Sequence, residues 1–280
     1  MKIRILICSL FTISFYNVKA QGNFSASMNL KTEPADKINY NESHIDFKIN
    51  KEINTQSKLT NTIEYSHLKV NYELGNPESF EDLDQFNHLE NKFEFSHTIS
   101  NATILNFELT PIANFQENFG ISDVTVLGNF EVRQKLNSNT NLSIGAARTT
   151  AFGSPKFMPV LALTYKINNA SSLVIGFPDS KISYSNNIRN KFNLTNSFNG
   201  EFYNLDSKIN LNEKASRTSL SQMTSAFEYE RNVDTNWFLN FKAGYDFNKK
   251  YNLLDNDNHK IYDFNTGNGY ILSIGIKYKQ

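Results

Sequence analysis

Apolar and polar residues alternate with a period of two along most of the chain. Phe24, Ala26, Met28 and Leu30 interleave with small or polar residues, and Ile45, Phe47 and Ile49 with His44, Asp46, Lys48 and Asn50. Val124, Val126, Phe130 and Val132 form a third row, and Phe157, Leu161, Leu163 and Tyr165 a fourth. Towards the C-terminus Trp237, Leu239, Phe241, Ala243 and Tyr245 alternate with Asn240, Lys242, Gly244 and Asp246; Tyr270, Leu272, Ile274, Ile276 and Tyr278 close the series. A helix would spread such rows around its whole surface, whereas a strand gathers them on one side. The rows predict strands with one apolar and one polar face.

The rows run for about ten residues, the length a tilted strand needs to cross a bilayer. Short polar turns join them in pairs, at 100–102, 137–141, 168–172 and 232–236, where Asn, Asp and Ser suit tight reversal. The segments 32–43, 75–88, 205–219 and 248–268 read as longer polar connections. Short turns alternating with long loops are the rhythm of an outer-membrane barrel. The expected architecture is all-β, a transmembrane antiparallel up-and-down barrel of 12–14 strands, with fourteen the count the rhythm favours and both termini periplasmic. Residues 178–204 do not parse cleanly. Phe80, Leu83, Phe86 and Leu89 recur every three residues and predict a short helix in an outer loop. No repeat, linker or composition shift divides the chain.

The first twenty residues stand apart. Lys2 and Arg4 precede an apolar run over 5–16, and Val18-Lys19-Ala20 is a small-x-small cleavage context, so 1–20 read as a signal peptide and 21–280 as the barrel. The only cysteine, Cys8, lies inside that leader, which leaves no thiol for a disulfide, metal site or nucleophile. The 28 basic and 28 acidic side chains balance, and loss of Lys2, Arg4 and Lys19 leaves a slight acidic excess, which argues against nucleic acid as a partner. Aromatics reach 13%, with 23 Phe and 13 Tyr against one Trp, which suits strands half facing lipid. Tyr165, Tyr229, Tyr245, Tyr270 and Tyr278 share the apolar parity near strand ends and predict an interfacial girdle. The alternative for the same parity is the core of a soluble exported β-sandwich.

At Gly176-Phe177-Pro178-Asp179-Ser180 and Tyr184, at Gly200-Glu201-Phe202-Tyr203, and in the closing Gly269–Tyr278 stretch, the sequence resembles a family of uncharacterised outer-membrane β-barrels of Bacteroidetes type. The resemblance spans the mature chain. It implies a barrel in the bacterial outer membrane, with lipid and the barrel assembly machinery as partners, and it carries no catalytic residue. Many such barrels end on an aromatic residue; here Lys279 and Gln280 follow Tyr278. Gly176 and Pro178 also read directly as a strand end.

Candidate chemistry is sparse. No HExxH, GxSxG or phosphate-binding glycine loop is present, so no catalytic residue, metal or cofactor is expected. Ser96 and His97 invite comparison with barrel lipid hydrolases, but adjacent strand residues point to opposite faces. Asp255-Asn256-Asp257-Asn258 is either a weak Ca²⁺ loop or, on the favoured reading, a solvated turn. The polar parity carries charges of both signs, and Lys48, Glu64, Glu94, Glu131, Arg133, Lys166 and Lys242 are the lumen-facing ligand candidates. The expected function is a pore or envelope structural protein, with a small-solute or hydrophobic-compound transporter as the alternative and a lipid hydrolase a remote third. A selective pore would show one predominant sign of charge, which these residues do not.

Overall fold

A computed structural model describes residues 23–73, 83–206 and 215–280. The chain begins with β1 (Asn23–Glu33), β2 (Ile38–Glu52), β3 (Ser57–Tyr72), β4 (Gln85–Thr98) and β5 (Thr103–Phe115). Then follow β6 (Val124–Lys135), β7 (Thr140–Thr149), β8 (Lys156–Lys166), β9 (Ser171–Phe177) and β10 (Asp179–Asn187). The last are β11 (Asn190–Asn204), β12 (Arg217–Asn232), β13 (Trp237–Leu254), β14 (Lys260–Asp263) and β15 (Gly269–Lys279). From β1 to β14 each strand pairs antiparallel with the next, β15 pairs β13 on one side and β1 on the other, so the sheet closes on itself. The ring has fourteen strands; β14 is a short flap on the extension of β13.

Register explains the sequence rows. Met28 pairs Ile45 and Ile276, and Val132 pairs Ile144, so each apolar row continues its neighbour's around the barrel. These side chains point outward: Phe107, Phe130, Leu161, Leu194 and Ile274 are each about half exposed. The small and polar residues between them are covered, among them Thr62, Ser66, Ser143, Asn193 and Thr224. That inversion rules out the soluble sandwich, whose apolar face would be inside. The Trp237–Tyr278 pair lies at one level and the Tyr245–Tyr270 pair at another. Eight residues of β15 separate the two tyrosines, about 27 Å along the strand and roughly 20 Å along the barrel axis.

At one end all turns are short. Asn54, Asn137, Asn168 and Asn187 each accept a bond from the backbone N–H two residues on, at 2.8–2.9 Å, which closes the reversal locally. The opposite end differs from expectation. The connection read over 32–43 shrinks to 34–37, because Glu33 pairs Tyr40 and the ladder runs nearly to the turn. Asn39, Asn41 and Glu42 have the composition of a loop although they stand in the ladder, Glu42 facing the lumen. Likewise β12 begins at Arg217, and β13 continues to Leu254 within the segment read as 248–268. The helix expected over 78–90 is overturned from Gln85 onward: Phe86 and Leu89 lie on β4, which pairs β3 through Gln85–His97. The remainder of that segment up to 82 lies outside the described residues. The unparsed 178–204 resolves into β10 and β11.

Strand length varies around the ring. β9 has 7 residues and β10 has 9, while β3 and β12 have 16 and β13 has 18. The tall strands lean together above the low wall, and the ends of β5 and β11 meet across the barrel. Asn114 Nδ2 donates to Phe202 O (2.9 Å), Asn204 Nδ2 to Ser122 O (2.8 Å), and Asp206 accepts from Asn118 N (3.0 Å). The pinched mouth holds an apolar cluster that includes Ile38, Tyr40, Phe86, Tyr203, Tyr251 and Phe264.

Candidate functional site

Below this cluster lies a lumen cavity of about 730 Å³. The odd positions of β1 (Asn29, Lys31, Glu33), the even positions of β2 (Glu42, His44) and the even positions of β12 (Gln222, Thr224, Glu228) all face it. Five lysines and five glutamates line it, so the wall is charged yet balanced. Towards the short-turn end, Lys242 of β13 meets Glu228 of β12 at 3.6 Å, and Lys277 of β15 reaches past β13 to Glu230 of β12 at 3.1 Å. Both are partly exposed and contribute little to stability.

The cavity's upper wall is a buried ionic network. Lys249 Nζ lies 2.5 Å from Glu33 Oε2 and 3.7 Å from Asp246 Oδ2. Lys31 Nζ bridges Glu33 (2.9 Å) and Glu42 (2.5 Å), and Thr224 donates to Asp246 at 2.6 Å. Lys249 also sits 4.2 Å from the centre of the Tyr40 ring, tying the ions to the aromatic cluster above. Glu201 accepts the Tyr203 hydroxyl on the facing strand. Lys249 is brought here by a bulge. The β12–β13 register shifts between Ser221 and Met223, Asn248 adopts φ 50°, and Asp246 and Lys249 then share one face.

Of the residues singled out in sequence, all seven fall on the inward parity of their strands, but only Lys242 lines this cavity. Lys48 and Glu94 approach to 3.8 Å, Glu64 meets His44 at 3.2 Å, and Arg133 meets Glu131 at 3.3 Å, all on the facing or lower wall. Lys166 stands at the short-turn rim of β8. Lys31, Glu33, Glu42, Glu201 and Lys249 were missed. Alternation from Ser25, Ser27 and Asn29 leads directly to Lys31, and would have led on to Glu33 had 32–43 not read as loop. No local pattern marks Lys249, since the bulge breaks the period.

The remaining candidates resolve into structure. Ser96 donates to Asn106 at 2.7 Å on the inner face, while His97, on the outer face, meets Ser57 at 3.0 Å. The two neighbours do not act together. Asp255 caps its own turn: the N–H groups of His259 (2.8 Å) and Asp257 (2.9 Å) donate to it, which holds its carboxyl below the usual range. Asp255, Asp257 and His259 do lie close together, but the bonds made are those of a turn.

Residues 16–279 match a family model described as a domain of unknown function (DUF6268). No curated protein matches the chain. Solved structures do. An outer membrane channel from Pseudomonas putida F1 is 9% identical with a TM-score of 0.50, over 95% of this chain and 98% of that one. The P. putida toluene transporter TodX is 9% identical with a TM-score of 0.47, over 96% and 91%. The KdgM porin is 8% identical with a TM-score of 0.39, over 90% and 98%. At such identities the likeness concerns the fold alone, a closed antiparallel β-barrel like that of the outer membrane channel.

Proposed function

The chain belongs to the family described as domain of unknown function DUF6268, and from that premise we propose that it is an outer-membrane channel, not an enzyme. One observation carries this reading: a belt of half-exposed apolar residues surrounds a charged lumen cavity of about 730 Å³. An apolar exterior supports residence in a bilayer, and a wet interior offers a solute somewhere to go. Short turns and both strand termini then face the periplasm, and the long connections face outward. Residues 1–20 serve export, and outer-membrane lipid and the barrel assembly machinery are the partners. Lys48, Glu64, Glu94, Glu131, Arg133, Lys166 and Lys242 then line the path below or beside the cavity.

The packed mouth favours a second reading, a closed structural barrel. Two measurements separate these. The protein should fractionate with the outer membrane and migrate differently on gels when unheated, whereas recovery as a soluble periplasmic protein would sink both readings. Purified barrel in planar bilayers, or expressed in an outer membrane, should then admit ions or a small solute. A folded barrel that admits neither is structural.

A further inference from the structure

The wall of the barrel is interrupted where the lumen comes nearest to the exterior. The β10–β11 ladder stops at Asp179–Ser197, and its last backbone link is Phe198 N to Pro178 O at 3.3 Å. Above that point β11 keeps its ladder with β12, through Asn204–Arg217, but among the described residues has no strand on its other side. Backbone groups at membrane depth need partners, which is why closed barrels leave no edges. Here side chains from elsewhere serve the free edge. Thr150 Oγ1, from the β7–β8 loop, donates to Gly200 O at 2.7 Å, and Asn114 Nδ2, from the end of β5, donates to Phe202 O at 2.9 Å.

The loop over 150–155 thus rises over the low wall and laps the outer face of β11 as far as Ser219 on β12. It fits closely because neither contact position carries a side chain. A Cβ on Gly200 would fall 2.2 Å from Thr150 O, and one on Gly153, whose φ is +82°, would lie 3.5 Å from Ser219 Cβ. Outside the seam Phe152, Phe177 and Phe198 form an aromatic lip with ring centres 5.4–6.1 Å apart, Phe152 being 41% exposed. Inside it, Asn199, Gly200 and Glu201 of the same edge line the lumen cavity. One strand's thickness separates lip from lumen. The axial way out is closed by stacked rings, Tyr251 on Phe264 at 4.3 Å and Phe86 against Tyr203 at 4.8 Å.

We propose that the barrel passes an apolar solute sideways through its wall, between the outer half of β11 and the 150–155 loop, rather than along its axis. Parting the seam breaks side-chain bonds and leaves every strand ladder intact, so it is the easiest place to open. The aromatic lip selects a ring-bearing or otherwise apolar molecule from the outer leaflet, and the loop is the gate. This rests on the channel reading above.

The test locks the gate. Gly153→Cys with Ser219→Cys places two Cβ atoms at the spacing a disulfide needs, about 3.5–4.5 Å, and the one native cysteine, Cys8, lies in the expected leader. Cells carrying the barrel in their outer membrane are given the apolar fluorophore 1-N-phenylnaphthylamine. Wild-type barrel is expected to speed its entry over cells with empty vector. The oxidised pair should lower that entry at least five-fold, with recovery on reduction, and Thr150→Val, which removes the donor to Gly200, should raise it. Entry that ignores both the lock and Thr150→Val overturns the lateral route and leaves the channel reading standing. No entry through wild-type barrel, together with no conductance in bilayers, overturns the channel reading itself. Should the lock fail to fold, as judged by gel mobility before heating, the Thr150→Val result decides alone.

Discussion

Lys249 reaches the lumen through a bulge, and it arrives among carboxylates. Glu33, 4% exposed, and Lys249, 7% exposed, have left water almost entirely. Their mutual attraction roughly repays that desolvation, so the pair as a whole adds little, but removing Lys249 leaves two buried carboxylates, Glu33 and Asp246, short of positive charge, with Lys31 still beside Glu33. Lys249→Met is expected to destabilise the barrel by roughly 3–5 kcal/mol, measured by guanidinium unfolding in lipid vesicles. Adding Glu33→Gln to that variant should recover part of the loss; a single variant within about 1 kcal/mol of wild type would mean the site is hydrated. At this scale the sequence was half legible. Parity placed Glu64, Glu131 and Lys242 on the inner face, as found, but parity cannot count across a bulge.

The elements follow from two devices repeated around the ring: an alternating strand and, at the short-turn end, an asparagine that closes its own turn. The apolar row is the part lipid solvates. Ile144, 55% exposed at mid-height on β7, should not tolerate charge: Ile144→Arg is expected to cost about 2–4 kcal/mol. Thr164→Arg on the inner parity of β8 should leave stability near that of the parent. Equal penalties in the same unfolding assay would place β7 and β8 away from the membrane. Boundaries were legible at the short turns, where Asn137 and Asn168 announce the reversal. They were not at the outer ends, because polar residues such as Asn39, Asn41 and Glu42 have the composition of a loop while being in a ladder.

For the whole molecule, unequal strand heights matter most. The tall strands close over the low wall of β8 to β10, and the enclosed space fills with rings. Tyr72 and Tyr251 share a hydroxyl contact at 2.8 Å across that space, 179 residues apart in sequence. Tyr251→Ala with Phe264→Ala should hollow the mouth and raise single-channel conductance several-fold in planar bilayers, with unheated gel mobility checking that the barrel still folds. Unchanged conductance in a folded variant would show that the rings do not limit the axial path.

The sequence by itself determined the faces of the strands and a closed up-and-down barrel of 12–14 of them, because alternation and turn chemistry are local and a one-residue slip would put every lipid-facing side chain inside. It did not determine the mouth, the ionic network or the interrupted edge of β11. Those arise where distant segments meet: Asn114 with Phe202, Thr150 with Gly200, Lys249 with Glu33. Each contact depends on how high a strand rises and where a bulge turns it, and these are set only when the sheet closes on itself.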